Sequence, residues 1–123
     1  DLAKQLELDV TFDFMSIKSY YGSESSGQVK IVKDLEYDIT NKNVLIVEDI
    51  YDTGLTLKNL KKLLEARNPK NIEIFCMFVK KEVAQDPIEI NYSGFEIGPE
   101  FVVGYGLDYN GKYRELPYLG VLS

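Results

Sequence analysis

The stretch VLIVEDIYDTGLTL at residues 44–57 constrains the fold more than any other part of the sequence. Its four leading apolar residues are typical of a buried strand, and the apolar spacing then changes to that of a helix. The helical spacing is carried by Leu57, Leu60, Leu63 and Leu64. Asn68 and Pro69 predict that this helix ends near residue 67. A second apolar run, IEIFCMFV at residues 72–79, is typical of a strand covered on both faces.

A strand, a helix and a second strand in this order predict a right-handed crossover unit, and hence an α/β fold with a parallel core sheet. The flanking sequence predicts further elements around this core. They are a helix at residues 1–7, a strand at 9–19, a polar and mobile loop at 21–28, a returning strand at 29–35 and a turn at 38–43.

Composition limits the classes of partner. No repeat, low-complexity tract or linker divides the 123 residues, so one domain spanning residues 1–123 is predicted. The net charge of −6 argues against nucleic acid, whose phosphates require clustered Lys and Arg. No apolar run is long enough to cross a bilayer, so no membrane partner is expected. A single cysteine, Cys76, and the absence of histidine favour a reducing cytoplasm and leave proton transfer to other groups.

Three acids follow the apolar run of the opening stretch. They are Glu48, Asp49 and Asp52. In an open parallel sheet, ligands bind beyond the carboxyl ends of the strands, which is where these acids are predicted to lie. The amides that begin the next helix favour a phosphate, Thr53 and Thr56 add hydroxyl donors, and Gly54 permits close approach of the backbone. The acids then suit the hydroxyls of a ribose or a Mg²⁺ ion that arrives with the ligand.

Simpler interpretations exist for each residue taken alone. An Asp before a helix is most often an N-cap, and acids at the end of a strand are often merely solvated. The sequence contains neither the GxxxxGK[ST] motif of a P-loop nor the GxGxxG motif of a dinucleotide site. A receiver domain also begins with paired acids, but it needs a phosphoacceptor Asp after a later strand, and residues 72–79 run into Lys80 and Lys81 instead.

The opening stretch closely resembles the phosphoribosyl-pyrophosphate motif of the type I phosphoribosyltransferases. Further segments are similar to the hypoxanthine-guanine phosphoribosyltransferases in particular, and together they extend over nearly the whole chain. These segments are FDFMSIKSYYG, VKIVKDL, FVKK and GFEIGPEFVVGYGLDYNGKYRELPYLGV. The resemblance implies a parallel-core sheet flanked by helices, with a small hood and a flexible hairpin loop.

The resemblance implies a role for each residue of the acidic motif. Glu48 and Asp49 would bind the ribose hydroxyls, and Asp52 would act as the general base at the purine imidazole nitrogen. The 5′-phosphate cradle would consist of Asp52, Thr53, Gly54, Leu55 and Thr56. The cofactor would be Mg²⁺, with Glu48, Asp49 and Asp108 as its protein ligands.

The resemblance also implies the sites for the base and for pyrophosphate. Lys80 would read the 6-oxo group, Phe101 would stack on the base, and the backbones of Val102 and Asp108 would bind its edge. From sequence alone, however, a Phe at this position is more often part of the core, and Lys80 is more often solvated. A second group would bind pyrophosphate or close over the site: Ser19, Tyr20 and Arg114. An exposed Arg in YRELP is equally compatible with a surface ion pair.

Two departures from the family pattern stand out. Tyr51 occupies a position that usually carries a small aliphatic residue. The family also carries an upstream core strand with a pyrophosphate-binding loop, and this sequence begins after it, so we expect the chain to be part of a longer or split enzyme.

The expected function is purine salvage, with transfer of phosphoribose from 5-phosphoribosyl 1-pyrophosphate to hypoxanthine or guanine. The alternative is a non-catalytic nucleotide sensor on the same fold. The expected partners are the donor, the purine base, the purine mononucleotide, and further copies of the chain in a dimer or tetramer.

Overall fold

The computed structural model describes residues 1–19, 29–80, 82 and 88–123. The chain divides into two compact units, residues 1–38 and 39–123, and each is described by itself. The prediction of a single domain over residues 1–123 stays a prediction.

The first unit contains a short helix and a two-stranded antiparallel ribbon. Helix α1 is Leu2–Gln5, strand β1 is Ser16–Ser19, and strand β2 is Val29–Lys33. The predicted helix at residues 1–7 is therefore shorter, because Leu6 already has an extended ψ of 122°.

The strand predicted at residues 9–19 forms only over its last four residues, and this prediction was wrong for the rest. Residues 9–15 pair with no strand among the described residues. The apolar side chains that alternate there are exposed, namely Val10, Phe12 and Phe14. The Asp13 carboxylate accepts the N–H groups of Glu36 and Tyr37, both at 3.0 Å from Oδ2. Asp13 is thus bound by its side chain to the backbone that follows β2, without a strand ladder.

The second unit is built on a three-stranded parallel sheet. Strand β3 is Asn43–Tyr51, helix α2 is Leu55–Glu65, strand β4 is Asn71–Val79, and strand β5 is Tyr92–Glu96. The strand order is β3-β4-β5, and Glu48 is in register with Cys76. Three leucines of α2 are buried, namely Leu57, Leu60 and Leu64. The predicted strand–helix–strand unit and its parallel pairing are confirmed.

Burial alternates along the sheet. Ile74 and Cys76 on β4 are fully buried, whereas their neighbours Phe75 and Met77 are half-buried. On β3, Ile46 is buried while Leu45 and Val47 are exposed. Side chains alternate between the two faces of a strand, and on the face that carries Phe75 and Met77 only Val79 is buried. The expected cover on both faces is therefore complete on one face and partial on the other.

The C-terminal residues form a hood of short strands and tight turns. Strand β6 is Val102–Val103 and pairs antiparallel with strand β7, Gly120–Val121. Between them, backbone bridges join Gly104 to Leu107 and Tyr109 to Lys112. A small core consists of Phe78, Val102 and Leu107, with Ile50, Met77, Ile97 and Leu119 packed against it. No helix in the described ranges is long and apolar enough to span a membrane.

Candidate functional site

The predicted phosphate residues lie together at the junction of β3 and α2. Asp52 and Thr53 are exposed in the loop, and Gly54 is the N-cap of the helix with φ of 84°. This left-handed conformation favours glycine, since a side chain would be strained there. The Gly54 carbonyl accepts the first helical bond from the Lys58 N–H at 2.9 Å. The Thr53 hydroxyl lies 3.5 Å from the Leu55 nitrogen. The loop therefore presents a carboxylate, a hydroxyl and the amides of a helix start at one place.

The structure brings Asp52 and Lys80 together. Lys80 follows β4 directly, and its Nζ lies 3.9 Å from Asp52 Oδ2. The backbone supports this placement, because the Lys80 N–H donates to the Tyr51 carbonyl at 2.9 Å. Lys80 is only 6% exposed, whereas the Asp52 side chain is 53% exposed. The interpretation of Lys80 as a solvated strand-end residue is therefore wrong.

Glu48 and Asp49 are neighbours in sequence but have different surroundings. They are consecutive on β3, so their side chains point to opposite faces of the sheet. Glu48 is half-buried and in register with Cys76; burial raises the pKa of its carboxyl to about 7, and the charge of Asp49 adds to the effect. Asp49 is exposed, and its Oδ1 accepts the Ile50 N–H at 2.7 Å. A proton on Glu48 near neutral pH suits a hydrogen bond to a hydroxyl.

Cys76 lies in the interior beside this acid. Burial, followed by the charges of Glu48 and Asp49, raises the pKa of the thiol to about 12. Cys76 is fully buried, in agreement with its position inside the apolar run at residues 72–79.

The acids of this region fit Mg²⁺ in one specific way. Within the described residues, no three His, Cys, Asp or Glu side chains lie close enough together to hold a metal ion. Mg²⁺, however, usually keeps several waters and takes only one or two carboxylates plus the phosphates of a substrate. Asp49, which is exposed at the carboxyl end of β3, fits that requirement, whereas the half-buried Glu48 is less accessible.

The hood presents an aromatic ring for a base. Phe101 is 50% exposed, and its ring meets Tyr109 edge-on with centroids 5.8 Å apart and planes at 83°. Its neighbour Val102 is buried in the small core. The expectation from sequence alone that Phe101 belongs to the core was therefore wrong. A half-exposed ring with an edge-to-face neighbour is suited to stacking on a base.

Asp108 and Arg114 contact each other in the hood. Arg114 Nη2 lies 3.2 Å from Asp108 Oδ1, and Arg114 Nη1 donates to the Gly106 carbonyl at 2.7 Å. The second oxygen of Asp108 accepts the Gly111 N–H at 2.8 Å. The surface ion pair considered for Arg114 is thus present, but its partner Asp108 and the two glycine contacts were not predicted. Gly106 and Gly111 have φ of 94° and 77°.

Two predicted residues remain, Ser19 and Tyr20. Ser19 ends β1, but its side chain is not described, and Tyr20 with the predicted loop at residues 21–28 falls outside the described residues.

Comparison with known proteins gives one consistent family. The phosphoribosyl transferase domain family matches residues 1–110. Proteins named hypoxanthine-guanine phosphoribosyltransferase from Staphylococcus aureus and Staphylococcus epidermidis are each 48% identical over the whole chain. The chain covers 69% of the length of each of these relatives.

Solved structures agree with the sequence relatives. A hypoxanthine phosphoribosyltransferase from Staphylococcus aureus superposes with a TM-score of 0.94 at 47% identity, covering 99% of this chain and 67% of that one. The hypoxanthine-guanine enzyme of Bacillus anthracis, with HEPES in its active site, gives 0.93 at 41% identity and coverages of 99% and 72%. A mutant of the Trypanosoma cruzi hypoxanthine phosphoribosyltransferase, complexed with the product IMP, gives 0.89 at 38% identity and coverages of 95% and 59%.

Proposed function

The chain belongs to the phosphoribosyltransferase family, and we propose that it transfers phosphoribose from 5-phosphoribosyl 1-pyrophosphate to hypoxanthine or guanine. The products are IMP or GMP and pyrophosphate. The names of its relatives support purine salvage, and the Trypanosoma cruzi neighbour was crystallised with IMP as product and also in a ternary substrates complex.

The observation that carries this proposal is the approach of Lys80 to Asp52 across the ends of two adjacent parallel strands. A buried ammonium group is suited to donate to the 6-oxo group that hypoxanthine and guanine share. A carboxylate 3.9 Å from it is suited to accept the proton of the imidazole nitrogen beside that oxo group as the ring attacks the sugar. The two groups thus contact neighbouring atoms on one edge of the purine.

The other residues arrange the donor around this pair. The loop from Asp52 to Thr56 binds the 5′-phosphate with amides and hydroxyls. Glu48 and Asp49 bind the ribose hydroxyls. With the phosphate and the hydroxyls held, the anomeric carbon lies near Asp52, where negative charge stabilises an oxocarbenium-like transition state.

The hood binds the rest of the purine and the leaving group. Phe101 stacks on the base, and the backbone groups of Val102 and Asp108 bind its edge. Arg114 contacts pyrophosphate, for which it first releases Asp108. Ser19 and Tyr20 belong to the segment that excludes water, which matters because hydrolysis of the donor competes with transfer.

Mg²⁺ is the proposed cofactor, with Asp49 and Asp108 as its main protein ligands and Glu48 as an additional one. When bound, it supplies positive charge to the departing pyrophosphate. The proposed setting is the cytoplasm, with the chain in a homodimer or homotetramer and with neither nucleic acid nor membrane as partner.

An assay of pyrophosphate release tests the reaction. The chain is incubated with 5-phosphoribosyl 1-pyrophosphate and with hypoxanthine, guanine or xanthine in turn, with Mg²⁺ and with EDTA. Release that requires a purine base confirms transfer, and its loss in EDTA confirms the metal requirement. Binding of IMP without release on any base would instead assign the chain to the nucleotide sensors. Absence of both would contradict the proposal.

A further inference from the structure

Tyr51, the last residue of β3, is the only buried tyrosine in the described part of the chain, with 4% exposure. A buried tyrosine hydroxyl normally needs a hydrogen-bond partner. Here the hydroxyl oxygen accepts the N–H of Ile88 at 3.2 Å. The residue that departs from the family pattern therefore makes a specific polar contact inside the protein.

The backbone of Tyr51 makes a second contact. Its carbonyl accepts the Lys80 N–H at 2.9 Å, and it is in register with Val79 at the end of β4. In the sequence, Lys80 and Ile88 flank residues 81–87. Tyr51 therefore binds the residue on each side of this segment, one through its main chain and one through its side chain.

The stretch that begins with Ile88 is attached to the sheet again at Asn91. The Asn91 side-chain oxygen accepts the Ile74 N–H at 2.8 Å, and the Asn91 N–H donates to the Ile74 carbonyl at 3.0 Å. The described residues from Ile88 to β5 are thus attached to Tyr51 at one end and to the backbone of β4 at the other. Without the Tyr51 hydroxyl, the half-buried Ile88 N–H loses its acceptor, and Tyr51, whose carbonyl binds the Lys80 N–H, is held less firmly.

We propose that Tyr51 is a positioning residue that holds Lys80 beside Asp52, so that it contributes to purine binding through Lys80. This inference rests on the proposed function. The distance of 3.9 Å between Lys80 Nζ and Asp52 Oδ2 depends on where the chain leaves β4. Tyr51 holds that point through its carbonyl, and its own side chain is held in turn by the Ile88 N–H. The residue before the general base thereby links the two halves of the purine site.

The test compares binding of two probes, IMP and ribose 5-phosphate, by calorimetry in one Mg²⁺-containing buffer. Tyr51→Phe keeps the ring and removes only the hydroxyl. The matched control is Tyr92→Phe, because Tyr92 is an exposed residue of the same sheet whose hydroxyl is hydrogen-bonded to Glu73. We expect Tyr51→Phe to weaken IMP by roughly threefold to tenfold and to leave ribose 5-phosphate unchanged. The control should change neither.

The wild-type chain tests the proposed function by itself, because failure to bind either probe would overturn both ideas. If wild type binds both, an equal loss for the two probes in Tyr51→Phe, or no loss for IMP, would refute the positioning role alone. Thermal unfolding of each variant is measured first. If Tyr51→Phe does not fold, Ile88→Pro removes the N–H donor instead. The same comparison then applies: weaker IMP binding with unchanged ribose 5-phosphate binding supports the positioning role, and any other result refutes it.

Discussion

The guanidinium of Arg114 lies 3.2 Å from the carboxylate of Asp108. The proposed ligand of Arg114 is pyrophosphate, whereas that of the Asp108 carboxylate is Mg²⁺, and in this structure the two side chains bind each other. In the proposed function, Arg114 leaves Asp108 in order to contact pyrophosphate. We therefore predict that Asp108→Asn binds pyrophosphate more tightly than wild type in metal-free buffer, measured by calorimetry. Both side chains are partly exposed, so the variant should lose less than about 1 kcal/mol of stability.

The control for this prediction is Glu115→Gln, which removes the same charge next to Arg114 in sequence. If both variants tighten pyrophosphate binding equally, the effect comes from net charge and the ion pair does not restrain Arg114.

Asp52→Asn should keep donor binding and lose most turnover. The amide preserves the shape of the loop but accepts a proton poorly, and a general base contributes roughly 10²–10⁴-fold. Initial rates of pyrophosphate release against donor concentration give kcat and KM separately. Glu65→Gln, at the opposite end of α2, is the control for loss of one charge. Turnover near the wild-type rate in Asp52→Asn would remove this residue from its proposed role.

Lys80→Met should weaken the purine and leave the donor unaffected. Loss of a charge-assisted hydrogen bond to the 6-oxo group predicts roughly a tenfold to hundredfold rise in the KM for hypoxanthine. Stability should change little, because Asp52 is 53% exposed and remains solvated without its partner. Lys62→Met, an exposed change on α2, provides the comparison. A similar rise in the KM for the donor would contradict the assignment of Lys80 to the base.

Glu48→Gln should make the metal-free protein more stable above pH 7. Burial raises the pKa of Glu48 from 4.5 to about 7, so the folded state holds this proton more tightly than the unfolded state does. Its contribution therefore favours folding below pH 4.5 and is lost as the pH rises to about 7. Urea unfolding should show wild type and variant converging near pH 4.5 and differing by up to about 3 kcal/mol at pH 8. A constant difference at all pH values would refute this explanation.

Cys76 should resist alkylation in the native protein. It is fully buried and its thiol has a pKa of about 12, so the reactive thiolate is scarce at pH 8. Intact-mass measurement after iodoacetamide treatment should show no adduct until denaturant is added. Rapid native labelling would mean that the interior of the sheet opens frequently.

The elements that could be predicted are those with a local pattern. Strand β3, helix α2 and strand β4 follow from runs and spacings that each segment carries by itself. Residues 9–15 also carry a local pattern, the alternation of apolar and polar residues that is typical of a strand. A strand needs a partner as well, and local alternation does not say whether one is present.

The site was predictable to the extent that its residues lie next to one another in sequence. The loop after β3 was recognised from one motif, and Lys80 was placed by resemblance. The exposure of Phe101 and the pairing of Asp108 with Arg114 depend on how turns of the hood fold back, for which the sequence has no periodic signal. That Glu48 and Asp49 face opposite ways follows from strand alternation but was not predicted.

The burial of Lys80 determines when its hydration is lost. Water is removed from this ammonium group during folding, since only 6% of the residue remains accessible before any purine arrives. The free-energy cost of that desolvation thus belongs to the folding equilibrium. In the proposed function, the 6-oxo oxygen of a purine then meets an ammonium group for which bulk water no longer competes. In the proposed function, part of the affinity for the base is therefore provided by the folding that buries Lys80.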